Sequence, residues 1–289
     1  MGTGMWTAAS GAAAQALNLD TIANNLANTD SPAFKKDVTT FKEYLTNVER
    51  EHQPGDIPRG PIKDKDLYPL DGKDQAFVVV DGTQTIHKQG PLRVTQRQLD
   101  VALEGPGFLE VSTPQGIRYS RQGSLKMAAD GRLVNSEGYP VLGTVPDPQS
   151  GGAVGISAAQ IPGGPGGTMS NVAGRYVNLR DRGSYLTISD QGEIFDRDEL
   201  VAKLSVVEFK NLNKLKKSGA QLFENKDPAN PIKPAKTMVR QGVLEGSNVN
   251  PIEEMTNLIN ANRLFEQDLK SLKTYGELMG KEANEVGKL

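Results

Sequence analysis

Apolar side chains at Met5, Ala9, Ala12, Ala16, Leu19, Ala23 and Leu26 recur at alternating steps of four and three, drawing one stripe along a helix and predicting a helix from Gly4 to Asn28. The other faces carry little charge. Asp20 is the only charged side chain before Asn28, whereas a surface helix normally shows water a charged face. This helix is therefore expected to be covered by protein on most sides. The same alternation returns near the other end of the chain, in Met255, Leu258, Asn262, Phe265, Leu269, Leu272, Gly276, Met279, Ala283 and Val286. There the start is well marked: Asn250 caps, Pro251 fits the first helical position, and Glu253 and Glu254 place negative charge in the first turn, where the helix dipole favours it. Two amphipathic helices packed on an ordinary core would give this periodicity. Matching stripes at both ends also fit two helices lying against each other, which makes the seam residues the expected contacts.

Between the helices the pattern changes period. Asp30, Ser31 and Pro32 end the first helix, because the residue before a proline is pushed out of the α region. Residues 46–74 form a polar stretch broken by Pro54, Pro58, Pro61 and Pro69, expected to be an extended connector. From Gln75 short apolar runs alternate with turn signals. A run at Gln75 to Val80 is expected to turn at Asp81-Gly82, and strands are expected at Phe108 to Ser112, Ile117 to Arg121, Arg132 to Asn135, Arg175 to Leu179, Tyr185 to Ser189 and Leu204 to Phe209. Residues 146–170, with SGGAVG and PGGPGG, read as a loop, and Asn225 to Ala235 reads as a second Pro-broken connector. The expected fold class is α+β. Residues 1–45 and 236–289 form a paired, coiled-coil-like helical domain, into which a mainly antiparallel sandwich or barrel at 75–235 is inserted.

Composition narrows the function classes. A formal charge of −2 over 289 residues leaves no electrostatic footprint for nucleic acid. The absence of cysteine removes disulfides, thiolate catalysis and thiol metal ligands. No apolar run is long enough to span a membrane, and the first helix lacks the basic leader and unbroken apolar core of a secretory signal.

Candidate chemistry is sparse. His52 and His87 sit in no nucleophilic motif. Gly105-Pro106-Gly107 fails as a phosphate loop, because Pro106 lacks a backbone donor and no helix start follows. Asp64, Asp66 and Asp71 miss the calcium-loop spacing. The cluster Lys210, Lys214, Lys216 and Lys217 reads as a solvated face, with a contact to a neighbouring subunit as the alternative. A glycan-binding or peptidoglycan-processing module would need paired carboxylates in a groove. Asp100, Glu104 and Glu110 are the candidate acidic set in the β block, and their spacing does not put all three on one strand face.

Residue identities say more than periodicity. ANNLANTDSPAFKK (Ala23 to Lys36) resembles the N-terminal signature of the flagellar rod and hook family, the axial proteins of the bacterial flagellum. VRQGVLEGSNVNPIEEMTNLINANRLFEQDLK (Val239 to Lys270) resembles that family's C-terminal signature, and Leu99 to Gly143 is similar to its central domain. The resemblance implies an inner helical domain made of both termini, an outer β domain, and a structural rather than enzymatic role without cofactors. It also implies partners: copies of the same chain, other axial subunits, and the type III export apparatus that would deliver the chain to a periplasmic rod without a cleaved signal. Within the family, GVLEGSNVNPIEEM and QGPLRVTQRQLDVALEGPGFLEV look most like proximal-rod members, with distal-rod or hook-type members as the alternative. Two departures stand out: Ala33 precedes Phe34 where many relatives carry glycine, and Leu109 stands where an aromatic is common.

Overall fold

The computed structural model describes residues 2–46, 75–144, 173–180, 182, 185–219, 221–227, 230, 232–234 and 236–286. The expected loop at 146–170, the expected connector beyond its first residue, His52 and the aspartates at 64, 66 and 71 lie outside them. The chain divides into two compact units, one of Met1–Asn24, Asp37–Gln84 and Ile252–Leu289, the other of Asn25–Lys36 and Thr85–Pro251. Residues 75–84 thus join the helices, and residues 236–251 join the strands.

In the helical unit, helix α1 (Gly2–Ala27) and helix α2 (Pro251–Val286) form where their periodicity predicts helices. The end of α1 tightens, with Thr29 N and Thr29 Oγ1 both donating to the Leu26 carbonyl, at 3.2 and 2.8 Å. Strand Asp37–Thr46 pairs with strand Gln75–Thr85. The turn expected at Asp81-Gly82 is absent. The strand runs through it, because Gly82 takes a φ of 142° that a side chain would resist, and its carbonyl accepts from Thr40 Oγ1 at 3.1 Å. This ribbon lies along α1: Val78 N donates to Ser10 Oγ at 3.3 Å, and Thr39 bonds Thr21 at 3.0 Å. α2 and the ribbon cover two sides of α1, yet Trp6, Ala13, Leu17 and Ala23 stay exposed, so the helix is not covered on most sides as its composition predicts.

The β unit is antiparallel, as expected. Six strands run in the order Leu215–Lys217, Leu222–Asn225, Gly116–Ser120, Gly107–Thr113, Val206–Phe209 and Ile232–Pro234. Four run in the order Leu186–Ile188, Glu193–Asp196, Glu199–Leu204 and Gly143–Thr144. The strand expected at Leu204 to Phe209 is broken at Ser205, and its halves belong to different sheets. Arg175 to Leu179 is a 3₁₀ turn followed by isolated bridges, and the connector at Asn225 to Ala235 includes an edge strand, where Pro234 costs no ladder bond.

Gly107–Thr113 is buried on both faces. Leu109 and Val111 join Ile188, Ile194, Val201 and Leu204 in one core, between the larger sheets, while Phe108 joins Tyr119, Phe209 and Phe223 in a second. Aromatic edges meet faces there, Tyr119 to Phe209 at 4.8 Å and Phe108 to Phe223 at 5.5 Å. His87 adds an edge-on contact to Phe108 at 5.8 Å, a packing role.

Candidate functional site

The seam residues distribute unevenly. On α1, Ala12 is buried, Met5, Ala9, Ala16, Leu19 and Leu26 are half-buried, and Ala23 is exposed. On α2, Leu258, Phe265 and Leu272 are half-buried, whereas Met255, Asn262, Leu269 and Met279 are exposed. The covered stripe of α2 runs through Glu254, Leu258, Ala261, Phe265, Asp268 and Leu272, sharing one edge with the expected seam and replacing the other by residues one position earlier. The close approach of the helices is made by glycines. A Cβ on Gly4 would lie 2.9 Å from the Tyr275 ring, and one on Gly11 would lie 3.3 Å from the Asp268 carboxylate. Pairing 4 with 275 and 11 with 268 makes the helices antiparallel. This also places Met279 beyond the start of α1, where no helix remains to cover it. Gly4 and Gly11 are seven residues apart, and that spacing was the available signal.

Large apolar side chains stay exposed on both helices: Trp6 and Leu17 on α1, and Ile252 (75%), Met255 (52%) and Ile259 (51%) on one side of α2. The last three fall at steps of three and four, opposite the covered stripe.

A second site lies wholly within the β unit. Glu245 is fully buried between two cations, with Lys35 Nζ 2.5 Å from Oε1 and Arg121 Nε 3.0 Å from Oε2. Further hydrogen bonds surround the three side chains. Gly90 N donates to Glu245 Oε1 at 2.9 Å, Lys35 Nζ to the Lys88 carbonyl at 2.9 Å, and Arg121 to the carbonyls of Gly105, Gly107 and Leu103. Burial draws the Lys35 ammonium below its usual range, and Arg121 adds to this while Glu245 opposes it. Lys217, from the basic cluster, donates to the Lys35 carbonyl at 2.6 Å and sits over the Phe34 ring at 4.3 Å. Lys214 pairs with Asp227. Sequence reasoning missed this triad, since its members are far apart along the chain.

The acidic set considered for glycan chemistry is dispersed into separate partnerships. Asp100 binds Arg97 and Thr95, Glu104 binds Arg240, and buried Glu110 binds Arg175 and Ser205. Glu110 also faces Tyr119 across the ladder. Burial, reinforced by that carboxylate, pushes the Tyr119 phenol up. A phenol that keeps its proton in the folded chain but loses it on unfolding makes stability fall as pH rises above about 10. Tyr119→Phe is expected to flatten this alkaline fall in urea titrations between pH 9 and roughly 11. An unchanged slope would mean that the phenol ionises alike in both states.

Comparison with known proteins bears directly on these features. The chain is 30% identical over 279 residues to the flagellar basal-body rod protein FlgG of Agrobacterium fabrum, across 94% of both chains. This chain belongs to the flagellar basal-body rod family. It is also 29% identical to FlgG of Borreliella burgdorferi, across 96% of both chains, and 26% identical to the rod protein FlgF of Caulobacter vibrioides, across 94% of this chain and 92% of that one. Three family models match: the flagella basal body rod protein at residues 5–35, the flagellar hook protein FlgE/F/G D1 domain at 102–195, and the flagellar basal body rod FlgEFG protein C-terminal at 240–286. As a family member the chain is a structural component of the flagellar basal body that assembles with other axial subunits. The buried triad takes one residue from each matched stretch, Lys35 from the first, Arg121 from the second and Glu245 from the third.

Proposed function

We propose that this rod subunit polymerises head to tail with copies of itself and with its axial neighbours, in a helical arrangement that does not close, to form a torque-transmitting drive shaft, and that its two helices carry assembly. The observation that supports this reading is the exposed apolar side of α2 at Ile252, Met255 and Ile259, together with Trp6 and Leu17 on α1. Buried against a neighbour, each such side chain contributes about 1.5–3 kcal/mol, so a handful per contact suffices for a stiff tube of many contacts. Of the seam residues left exposed, Met255 belongs to this side of α2. Type III export without a cleaved signal, a periplasmic rod and a place in the proximal rod belong to the same proposal, with a distal-rod or hook-type place as the alternative.

Ile259→Glu tests this cleanly, because Ile259 is half in water before assembly. The free chain should keep its melting midpoint to within about 0.5 kcal/mol of stability. Incorporation should be lost, since an unpaired carboxylate would be buried in the contact. Basal bodies isolated from a complemented deletion strain supply the readout. Normal rods would remove the α2 side from the interface. Ala12→Glu is a poorer probe, because Ala12 is already buried and the charge would disrupt the subunit before any partner is met.

A further inference from the structure

Two of the four places where the chain passes between its compact units, those at 36/37 and 84/85, lie next to residues bonded to one side chain of the β unit. The passages fall at 24/25, 36/37, 84/85 and 251/252. Asn248 Oδ1 accepts from Lys36 N at 2.7 Å, and its Nδ2 donates to the carbonyls of Ile86 and Lys88 at 2.8 and 3.1 Å. Its own backbone N donates to the Phe34 carbonyl at 3.3 Å. The amide group thus places three bonds on two segments far apart in sequence and ties both to its own. Around it the same segments are joined again. Ala33 N donates to the Glu245 carbonyl at 2.8 Å, Ile86 N to the Lys36 carbonyl at 2.8 Å, and Gly246 N to the Pro91 carbonyl at 2.7 Å. Gly90 lies so close to Gly246 that a Cβ would come within 2.2 Å of its carbonyl oxygen. The triad of Lys35, Glu245 and Arg121 closes the base.

We propose that Asn248 and this triad form a clamp that holds the roots of the passing segments at fixed points of the β unit, so that a torque applied through the helices reaches the strands without the roots working loose. The inference rests on the rod reading above and adds to it a stiffening device with named residues. Neither Lys35 nor Asn248 belongs to an apolar core cluster of the unit. Removing the Asn248 amide alone should therefore open the roots locally while the triad and the cores stay packed. Hydrogen bonds suit this task, because they are directional where apolar contact is not. Fixed angles, rather than buried area, are what a torsional joint requires.

The test is Asn248→Ala in the full chain, with Asn248→Ser as the milder variant. In the free subunit, amides of Ala33, Lys36, Ile86, Gly90 and Gly246 should exchange roughly tenfold faster or more, while the amides of Glu110 and Ser112 in the core sheet stay at wild-type rates. In a complemented deletion strain both variants should still build rods visible by electron microscopy, yet swimming speed should fall more steeply than wild type as the medium is made viscous, Ala more than Ser. Rods built as usual with a wild-type speed against viscosity would overturn the clamp and leave the rod reading untouched. Exchange that also quickens in the core sheet of both variants would overturn it as well, by making Asn248 a residue of general stability. If the unaltered chain itself failed to enter rods, the rod reading would fall with it.

Discussion

Glu245→Ala is expected to lower the stability of the β unit by about 3–5 kcal/mol, the usual result of leaving a buried charge without its partner. The side chains of Glu245 and Lys35 are fully buried, and that of Arg121 is nearly so. Removing the carboxylate leaves two cations facing each other in a dry site, where their repulsion replaces two ion pairs. It also strands Gly90 N, which has Glu245 Oε1 as its acceptor. Lys35→Met should cost clearly less, because Glu245 keeps Arg121 and a flexible apolar chain fills the vacated space. The lowered proton affinity of Lys35 fixes a sign as well. Between its depressed value and the ordinary lysine value, the unfolded chain holds the extra proton, so this group makes stability rise with pH, and Lys35→Met removes that rise. Urea unfolding followed by far-ultraviolet circular dichroism measures both. A loss under about 1 kcal/mol for Glu245→Ala would mean that water reaches the site and solvates the cations.

The helices and the antiparallel character of the middle were legible because each is written in local periodicity. What sequence could not give depends on distance. The α2 seam turned toward Glu254, Ala261 and Asp268 because partner geometry, not hydrophobicity, selects which edge of a stripe is covered. Gly4 and Gly11 brought the helices together where the alanine stripe looked the better candidate, since a missing side chain leaves no hydrophobic signal. The turn at Asp81-Gly82 failed for a related reason: glycine permits a turn without requiring one. Ser205 parts two strands that read as one, and only the competing partners, Gly143 on one side and Leu109 on the other, reveal the break. The backbone holds Ala33 at a φ of 59°, in the left-handed region that glycine occupies freely and alanine at a cost of about 1–2 kcal/mol, so the position favours glycine and nothing in the structure explains the alanine. The triad was invisible because Lys35, Arg121 and Glu245 each look like an ordinary surface charge until three distant segments meet.

Those meeting segments define how far the chain can be cut. A chain reduced to residues 25–36, joined through a short glycine turn to residues 85–251, is expected to fold as a soluble monomer and to lose incorporation into the rod altogether. Ile86 N donates to the Lys36 carbonyl at 2.8 Å, so the ends to be joined lie on neighbouring strands about 5 Å apart, a gap that a two-residue turn closes. The shortened chain keeps both apolar cores, the triad and Asn248, and it drops every exposed apolar side chain of α2 beyond Pro251. Starting instead at residue 85 removes Lys35, the Ala33 bond to the Glu245 carbonyl and the Phe34 ring beneath Lys217. That version should be less stable than the joined one by about 2 kcal/mol or more, since a buried carboxylate loses one of its two cations and a backbone acceptor goes unmet. Protease resistance and urea midpoints rank the two, and electron microscopy of basal bodies scores incorporation. If the joined chain is no more stable than the one that starts at residue 85, the segment at 25–36 is not part of the β unit. If it enters rods without either helix, assembly resides in the strands.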